Sequence, residues 1–315
     1  KDYKGEKLRF YIKMEEQTEK KEKKNLIEFY NKHYKMLLIL PALLLIFSFI
    51  YMSFFYSSNH DIFKRDISLT GGTSATIYGK FDITNLKQDL SVKLEEVNIK
   101  EIFDLITKEQ KAVIIETKTG GEETKKILED YLKYKLDDNN SSFEFSGSTL
   151  SESFYKQLLI ALFVAFIFMA IVVLIIFRTV IPSAAVIISA FADIFMSLTI
   201  VNLLGIKISS AGIVAFLMLI GYSVDTDILL TNRVLKSTDE TINKRIFGAF
   251  KTGMTMTIIA ILSVVTALII VKPFSSVLSQ IFTILLIGLI FDIFNTWVTN
   301  VSILKWYMEK KEKKQ

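Results

Sequence analysis

The 315-residue chain has no cysteine and only two histidines, His33 and His60. Without a thiol there is no disulfide framework, no thiolate metal site and no cysteine nucleophile. Two histidines flanking one apolar run do not make a metal centre, so neither a metal nor another cofactor is expected. Phosphate chemistry is missing for a different reason. GGEE (120–123) and TGGT (70–73) pair their glycines without the lysine or the spacing that cradles a phosphate. An aspartyl protease working inside a membrane would place glycine directly before its aspartate and a Tyr-Asp pair on an earlier span. The chain reads GYSVD at 221–225 and offers no such pair, so these absences point away from an enzyme. No nucleic-acid recognition module is visible either. The net charge of +5 comes mostly from KKEKKN (20–25) and KWYMEKKEKK (305–314), which read as anchors on an anionic membrane face.

What the chain has in abundance is apolar length. Hydrophobic residues make up 51% of it, with 25 Phe, more than a soluble globule carries, and an integral membrane protein follows. The run 36–56 matches the ~20 residues a helix needs to cross about 30 Å of hydrocarbon. It is too long and too far along the chain for a signal peptide, and no small-residue cleavage site follows it. After a mostly polar stretch, 57–156, come five more runs: 157–177, 180–204, 209–230, 253–271 and 277–304. Lys and Arg fall unevenly between the short loops. Arg178 and the five charges from Arg233 to Lys251 lie on one side with both termini, and only Lys207 and Lys272 on the other. The positive-inside rule then predicts a multi-pass protein of the cell membrane with both termini cytoplasmic. Its expected parts are a basic N-terminal segment (1–35), the first span (36–56), an outer domain (57–156), a five-helix bundle (157–304) and a basic tail (305–315). Within the bundle, 236–250 reads as a basic amphipathic helix on the inner membrane surface.

The outer domain repeats one order of periodicities. SLTGGTSATIYG (68–79) is β-rich, Leu86, Leu90 and Leu94 give 83–97 helical spacing, and 98–107 alternates like a strand. Then 111–118 reads as a strand, 122–136 as an amphipathic helix after Gly120 and Gly121, and 141–148 as another strand. The fold class expected is therefore a six-helix membrane bundle with an external α+β lobe of ferredoxin-like (βαββαβ) order. That lobe by itself says little about chemistry.

Four acidic residues interrupt the apolar runs: Asp193, Asp225, Asp227 and Asp292. A charged carboxyl in hydrocarbon costs at least ~2.5–3.5 kcal/mol, so it is kept where it faces a bundle interior, a partner or a water path. Asp225 and Asp227 point about 200° apart on a helix and cannot share one interior. Asp225 lies on the face of Ala211, Ala215, Met218 and Gly221, small residues that favour close helix approach, so Asp225 is expected inside and Asp227 at a solvated helix end. Asp292 falls at the same depth, about 24 Å along its own span. The fifth span brings Thr252, Thr255 and Thr257 to that level, which completes a candidate ion relay of Asp225, Asp292, Asp227, Asp193, Thr255 and Thr257. The alternative for each threonine is packing, with its hydroxyl on its own backbone.

Several stretches together resemble a known family. Gly71, Gly72 and Thr73 open the outer domain, and GYSVDTDILLTNR (221–233) closes the fourth span with Gly221, Tyr222, Ser223 and Arg233. KTGMTMT (251–257) opens the fifth. With the one-plus-five layout, this pattern over about residues 36–304 is similar to the SecF family of protein-export membrane proteins, part of the SecD/SecF group in the resistance-nodulation-division superfamily. The VDTD form resembles archaeal members; in bacterial ones the aspartate falls opposite Thr226. The resemblance implies a non-ATPase accessory subunit that pairs with a SecD-like subunit beside the Sec translocon channel. Its outer lobe would act on the translocating polypeptide as ions flow inward through the bilayer. Two other readings stay open: export of lipid or drug by another superfamily member, and a purely structural SecD stabiliser.

Overall fold

In the computed structural model, residues 33–104, 107–236, 241–273 and 275–313 are described. The chain crosses from α1 (Ile39–Asn59) through a single helical turn, α2 (Ile67–Thr70), into a four-stranded lobe. There β1 (Gly72–Tyr78), α3 (Ile83–Leu90), β2 (Asn98–Phe103), β3 (Gln110–Thr117), α4 (Gly121–Leu132) and β4 (Ser141–Ser146) follow in the expected order. The sheet is antiparallel throughout with strand order β2-β3-β1-β4, so the two βα halves interlock around the central pair β1 and β3. Alternation sets the two faces. Ala75, Ile77, Val113 and Ile115 point to α3 and α4 and pack on Leu86, Leu90 and Leu128. Burying each of the Ile, Val and Leu side chains contributes roughly 1.5–3 kcal/mol, which closes a core within the lobe. The other face, with Ser74, Thr76, Lys100 and Glu116, overhangs the end of the bundle across a cavity of about 650 Å³.

The Gly-Gly-Thr sequence sits where the lobe meets the bundle, and its backbone explains its composition. Gly71 has φ +82° and Gly72 φ +142°, conformations that side chains rarely adopt. A Cβ on Gly71 would lie 2.5 Å from Ser148 Cα at the start of the second span, and one on Gly72 would lie 2.3 Å from the Thr117 carbonyl oxygen. Thr73 is buried and donates to the Thr119 carbonyl at 2.7 Å.

Five long helices then build the bundle: α5 (Ser148–Phe177), α6 (Val180–Leu203), α7 (Ser210–Lys236), α8 (Ile242–Val271) and α9 (Ser276–Phe294). After α9 the backbone widens into a π-helical segment, Asn295–Asn300, and continues as α10 (Val301–Glu312). With the first, these make six helices among the described residues that are long and apolar enough to cross a membrane. The third and fourth spans, α6 and α7, bury over half of their apolar stretch inside the protein, whereas α5 and α8 bury little of theirs.

Three expected boundaries move. The second-span helix begins at Ser148, inside the stretch assigned to the outer domain. The sixth runs to Glu312, so 305–312 is helix rather than tail. Residues 242–250 are the first turns of α8, not a separate surface helix. The reason is packing: Ile242, Ile246 and Ala249 bury against Leu230, Val234, Leu304 and Met308, so protein rather than lipid covers that apolar face. Residues 237–240, and the N-terminal segment 1–32, lie outside the described residues.

Candidate functional site

Three of the four intramembrane aspartates meet in the middle of the bundle. Asp193 on α6, Asp227 on α7 and Asp292 on α9 are all buried, and the first two are wholly inaccessible. Asp193 accepts from Ser223 Oγ at 2.5 Å and from Asn295 Nδ2 at 2.7 Å. Asp227 Oδ1 accepts from Thr296 Oγ1 at 2.9 Å and from Asn300 Nδ2 at 2.7 Å. Asp292 is held at 3.2 Å by Thr226 on one oxygen and at 3.2 Å by Thr296 on the other. Among the described residues, no Lys, Arg or His forms an ion pair with any of the three.

The hydroxyls around the cluster supply fewer protons than its acceptors call for. Thr296 has one hydroxyl proton but two carboxyl neighbours, and Thr226 also bonds the Tyr222 carbonyl, an obligate acceptor, at 3.2 Å. Both hydroxyls beside Asp292 are therefore claimed by a second acceptor. A proton on Asp292 completes the pattern, and so does a cation that neutralises the group. The oxygens of Asp227 and Asp292 that share Thr296 lie within about 6 Å of each other. Two bare charges there would repel by about 3 kcal/mol at an effective dielectric of 20. The arrangement suits groups that take up and release a positive charge.

Asp225 is not in the cluster. It is exposed on the opposite side of α7, with Val214, Met218, Gly221 and Tyr222, and a Cβ on Gly221 would meet nothing within 4 Å. The expectation that this face turns inward fails beyond its first turns: Ala215 is buried with Ile213, Phe216 and Leu219, whereas Met218, Gly221 and Asp225 lie on the exposed side of the helix. The fifth span also contributes no hydroxyl. Thr255 is exposed and donates to the Lys251 carbonyl, and buried Thr257 donates to the Gly253 carbonyl, which is the backbone packing role. What α8 offers instead is Gly253, close against Trp297 and Thr226. Of the remaining motif residues, Ser223 holds Asp193, while Arg233 donates to the Gly248 carbonyl at 3.1 Å and clamps α7 to α8.

The residues missed from sequence are Asn295, Thr296 and Asn300. DIFNTWVTN (292–300) places polar residues at 292, 295, 296, 299 and 300, a helical spacing inside an apolar run that could have shown them.

The cluster is tied to the lobe through the loops that lead into α7 and α9. Ile208 donates to the Lys64 carbonyl at 2.7 Å and accepts from the Asp66 amide at 2.9 Å. Phe103, at the end of β2, donates to the Pro273 carbonyl at 2.7 Å.

The model of the family described as protein export membrane protein SecD/SecF, C-terminal, matches residues 125–310. The protein-export membrane protein SecF of Methanocaldococcus jannaschii is 40% identical over 284 residues, which cover 88% of this chain and 96% of that protein. The protein of the same name from Methanothermobacter thermautotrophicus is 48% identical over 172 residues, covering 54% and 60% respectively. Among solved structures, SecDF of Thermus thermophilus, described as a translocon-associated membrane protein, superposes with a TM-score of 0.66 at 17% identity. That match covers 88% of this chain and 38% of the other, so the chain corresponds in fold to part of the longer protein.

Proposed function

The chain belongs to the SecF family of protein-export membrane proteins, and from that premise we propose that it pairs with a SecD-like subunit beside the Sec channel and couples an ion gradient to export. The observation that carries the coupling is the cluster of Asp193, Asp227 and Asp292, three buried carboxyls on three spans with more acceptors than protons. Loading one positive charge there changes the forces between α6, α7 and α9. Those helices begin or end at the loops bonded to Lys64, Asp66 and Phe103, so a shift among them reaches the lobe. One charge moved down a 100 mV potential releases about 2.3 kcal/mol, enough to bias a two-state lobe strongly. The lobe would then act on the translocating polypeptide.

Pairing has its own support. Asp225 lies just past the middle of α7, exposed on this chain's surface and without an ion pair or hydrogen bond among the described residues. A carboxyl left against lipid at membrane depth is costly, whereas a second bundle seated on Gly221, Tyr222 and Asp225 covers it. The orientation that accompanies this reading has both termini in the cytoplasm and the lobe outside.

The decisive experiment measures export into energised vesicles, with and without an uncoupler, for the wild-type complex and for Asp227→Asn and Asp292→Asn. Asparagine keeps size and hydrogen bonding but cannot titrate. Loss of gradient stimulation with intact assembly supports coupling. Full stimulation in both variants leaves the structural-stabiliser reading in its place.

A further inference from the structure

The carboxyl cluster is satisfied on its lobe side and unsatisfied on its far side. Both oxygens of Asp193 are matched, by Ser223 and Asn295, and the Asn295 carbonyl oxygen accepts in turn from Thr299 at 3.3 Å. One layer further from the lobe, Asp227 Oδ2, Ser189 Oγ, Thr231 Oγ1 and Asn300 Oδ1 find no hydrogen-bond partner among the described residues. All four residues are completely buried. They come from three different stretches of chain, and Asn300 and Ser189 both stand against the Asp227 carboxyl. Thr231 is one helical turn beyond Asp227 on the same face. Asn300 is fixed beside it by its amide, which donates to Asp227 Oδ1 at 2.7 Å. The Ser189 hydroxyl stands against Asp227 without meeting hydrogen-bond geometry.

A carboxyl, an amide carbonyl and two hydroxyls are four hard oxygen donors of the kind that hold hard cations in place of their water shell. A single carboxyl in the set balances a single positive charge. We propose that Asp227, Asn300, Ser189 and Thr231 form a binding site for a dehydrated monovalent cation, sodium being the natural fit. The proposal rests on the ion-gradient reading above and names the class of ion. In this arrangement Asn300 is bifunctional. Its amide orients the carboxyl, and its carbonyl oxygen ligates the ion. Asp292 and Thr296 then register the ion through the hydroxyl that Thr296 shares between the two carboxyls.

The test follows thermal unfolding of the full chain in lipid nanodiscs in sodium, lithium, potassium and choline chloride at equal ionic strength. Sodium is expected to raise the midpoint by about 2–4 °C over choline. That shift should vanish in Asp227→Asn and shrink in Asn300→Ala and Thr231→Val, but persist in Thr255→Val, whose hydroxyl is bonded to its own helix. Should Asp227→Asn fail to fold, Thr231→Val, which removes one ligand oxygen without changing shape, decides alone. Equal midpoints in all four salts overturn the site, and so does a sodium shift undiminished in both Thr231→Val and Asn300→Ala. Gradient-stimulated export without any sodium shift would remove this site and leave the proposed function standing. A sodium shift in a complex that shows no gradient stimulation would do the reverse.

Discussion

Asn300 donates its side-chain amide to Asp227 at 2.7 Å, joining the sixth span to the fourth in the centre of the bundle. The contact depends on the widened backbone at Asn295–Asn300. In a regular α-helix, residues five apart point about 140° from each other. In a π turn, closed by i→i+5 bonding, they become neighbours. Asn295 and Asn300 thereby share one face, and each serves a different carboxyl, Asp193 and Asp227. Local widening of this kind is frequent at functional sites because it re-aims side chains without ending the helix.

Removing the Asn300 amide should therefore be costly. Asn300→Ala leaves a buried carboxyl oxygen one donor short and should destabilise the chain by about 1–3 kcal/mol. Thr255→Val, on the exposed side of the fifth span, should stay within about 0.5 kcal/mol. Denaturation of both variants in one detergent checks the contrast, and equal effects would mean that the bond is not formed.

Thr296 is the hydroxyl shared by Asp227 and Asp292. Thr296→Ser keeps it and Thr296→Val does not, so gradient-stimulated export should survive the first change and fall at least about ten-fold in the second, a loss that corresponds to about 1.4 kcal/mol. Recovery of the assembled complex serves as the control. Equal export from both variants would show that the hydroxyl takes no part.

Gly72→Ala places a methyl group 2.3 Å from the Thr117 carbonyl oxygen at φ +142°. The clash and the strained backbone together should cost about 1–3 kcal/mol. The damage should appear in the lobe first, because Gly72 joins β1 to β4 and stands against the end of β3. Limited proteolysis should cut the 72–146 region earlier than in the wild type while the membrane helices remain protected.

Asp225→Leu should distinguish a partner-facing carboxyl from one that matters inside this chain. The isolated chain should unfold within about 0.5 kcal/mol of wild type, since Asp225 has no bond among the described residues. Co-purification of a SecD-like subunit should nevertheless weaken, through the loss of whatever the partner aims at that carboxyl. A large loss of stability in the isolated chain, with pairing unchanged, would contradict the assignment.

The proposed orientation can be checked in a chain that has no cysteine of its own. Single cysteines at Ser142, exposed on β4, and Lys251, exposed near the start of α8, should react with an impermeant reagent from opposite sides of the membrane. Labelling from one side only would exclude an odd number of crossings between them.

Much of the architecture was written in local patterns. Apolar runs of about twenty residues must become helices that satisfy their own backbone when surrounded by lipid, and alternation at 98–107 and 141–148 suits a sheet with one buried face. The strand and helix order of the lobe and the six spans follow from those constraints, and the resemblance carried by GYSVDTDILLTNR added the family. Which aspartate points inward did not follow. Asp225 and Asp227 are almost opposite on one helix, and the choice between them depends on which of its faces meets the neighbouring spans, a question of packing between segments distant in sequence. The same holds for the hydroxyls and amides of the cluster. A regular helix read from sequence turns Asn300 away from Asn295, and only the widened turn, held in place by contacts to α6 and α7, brings both to the carboxyls. Helical period is a property of neighbouring residues along the chain, whereas the meeting of Asp193, Asp227 and Asp292 is a property of three helices that had first to pack together.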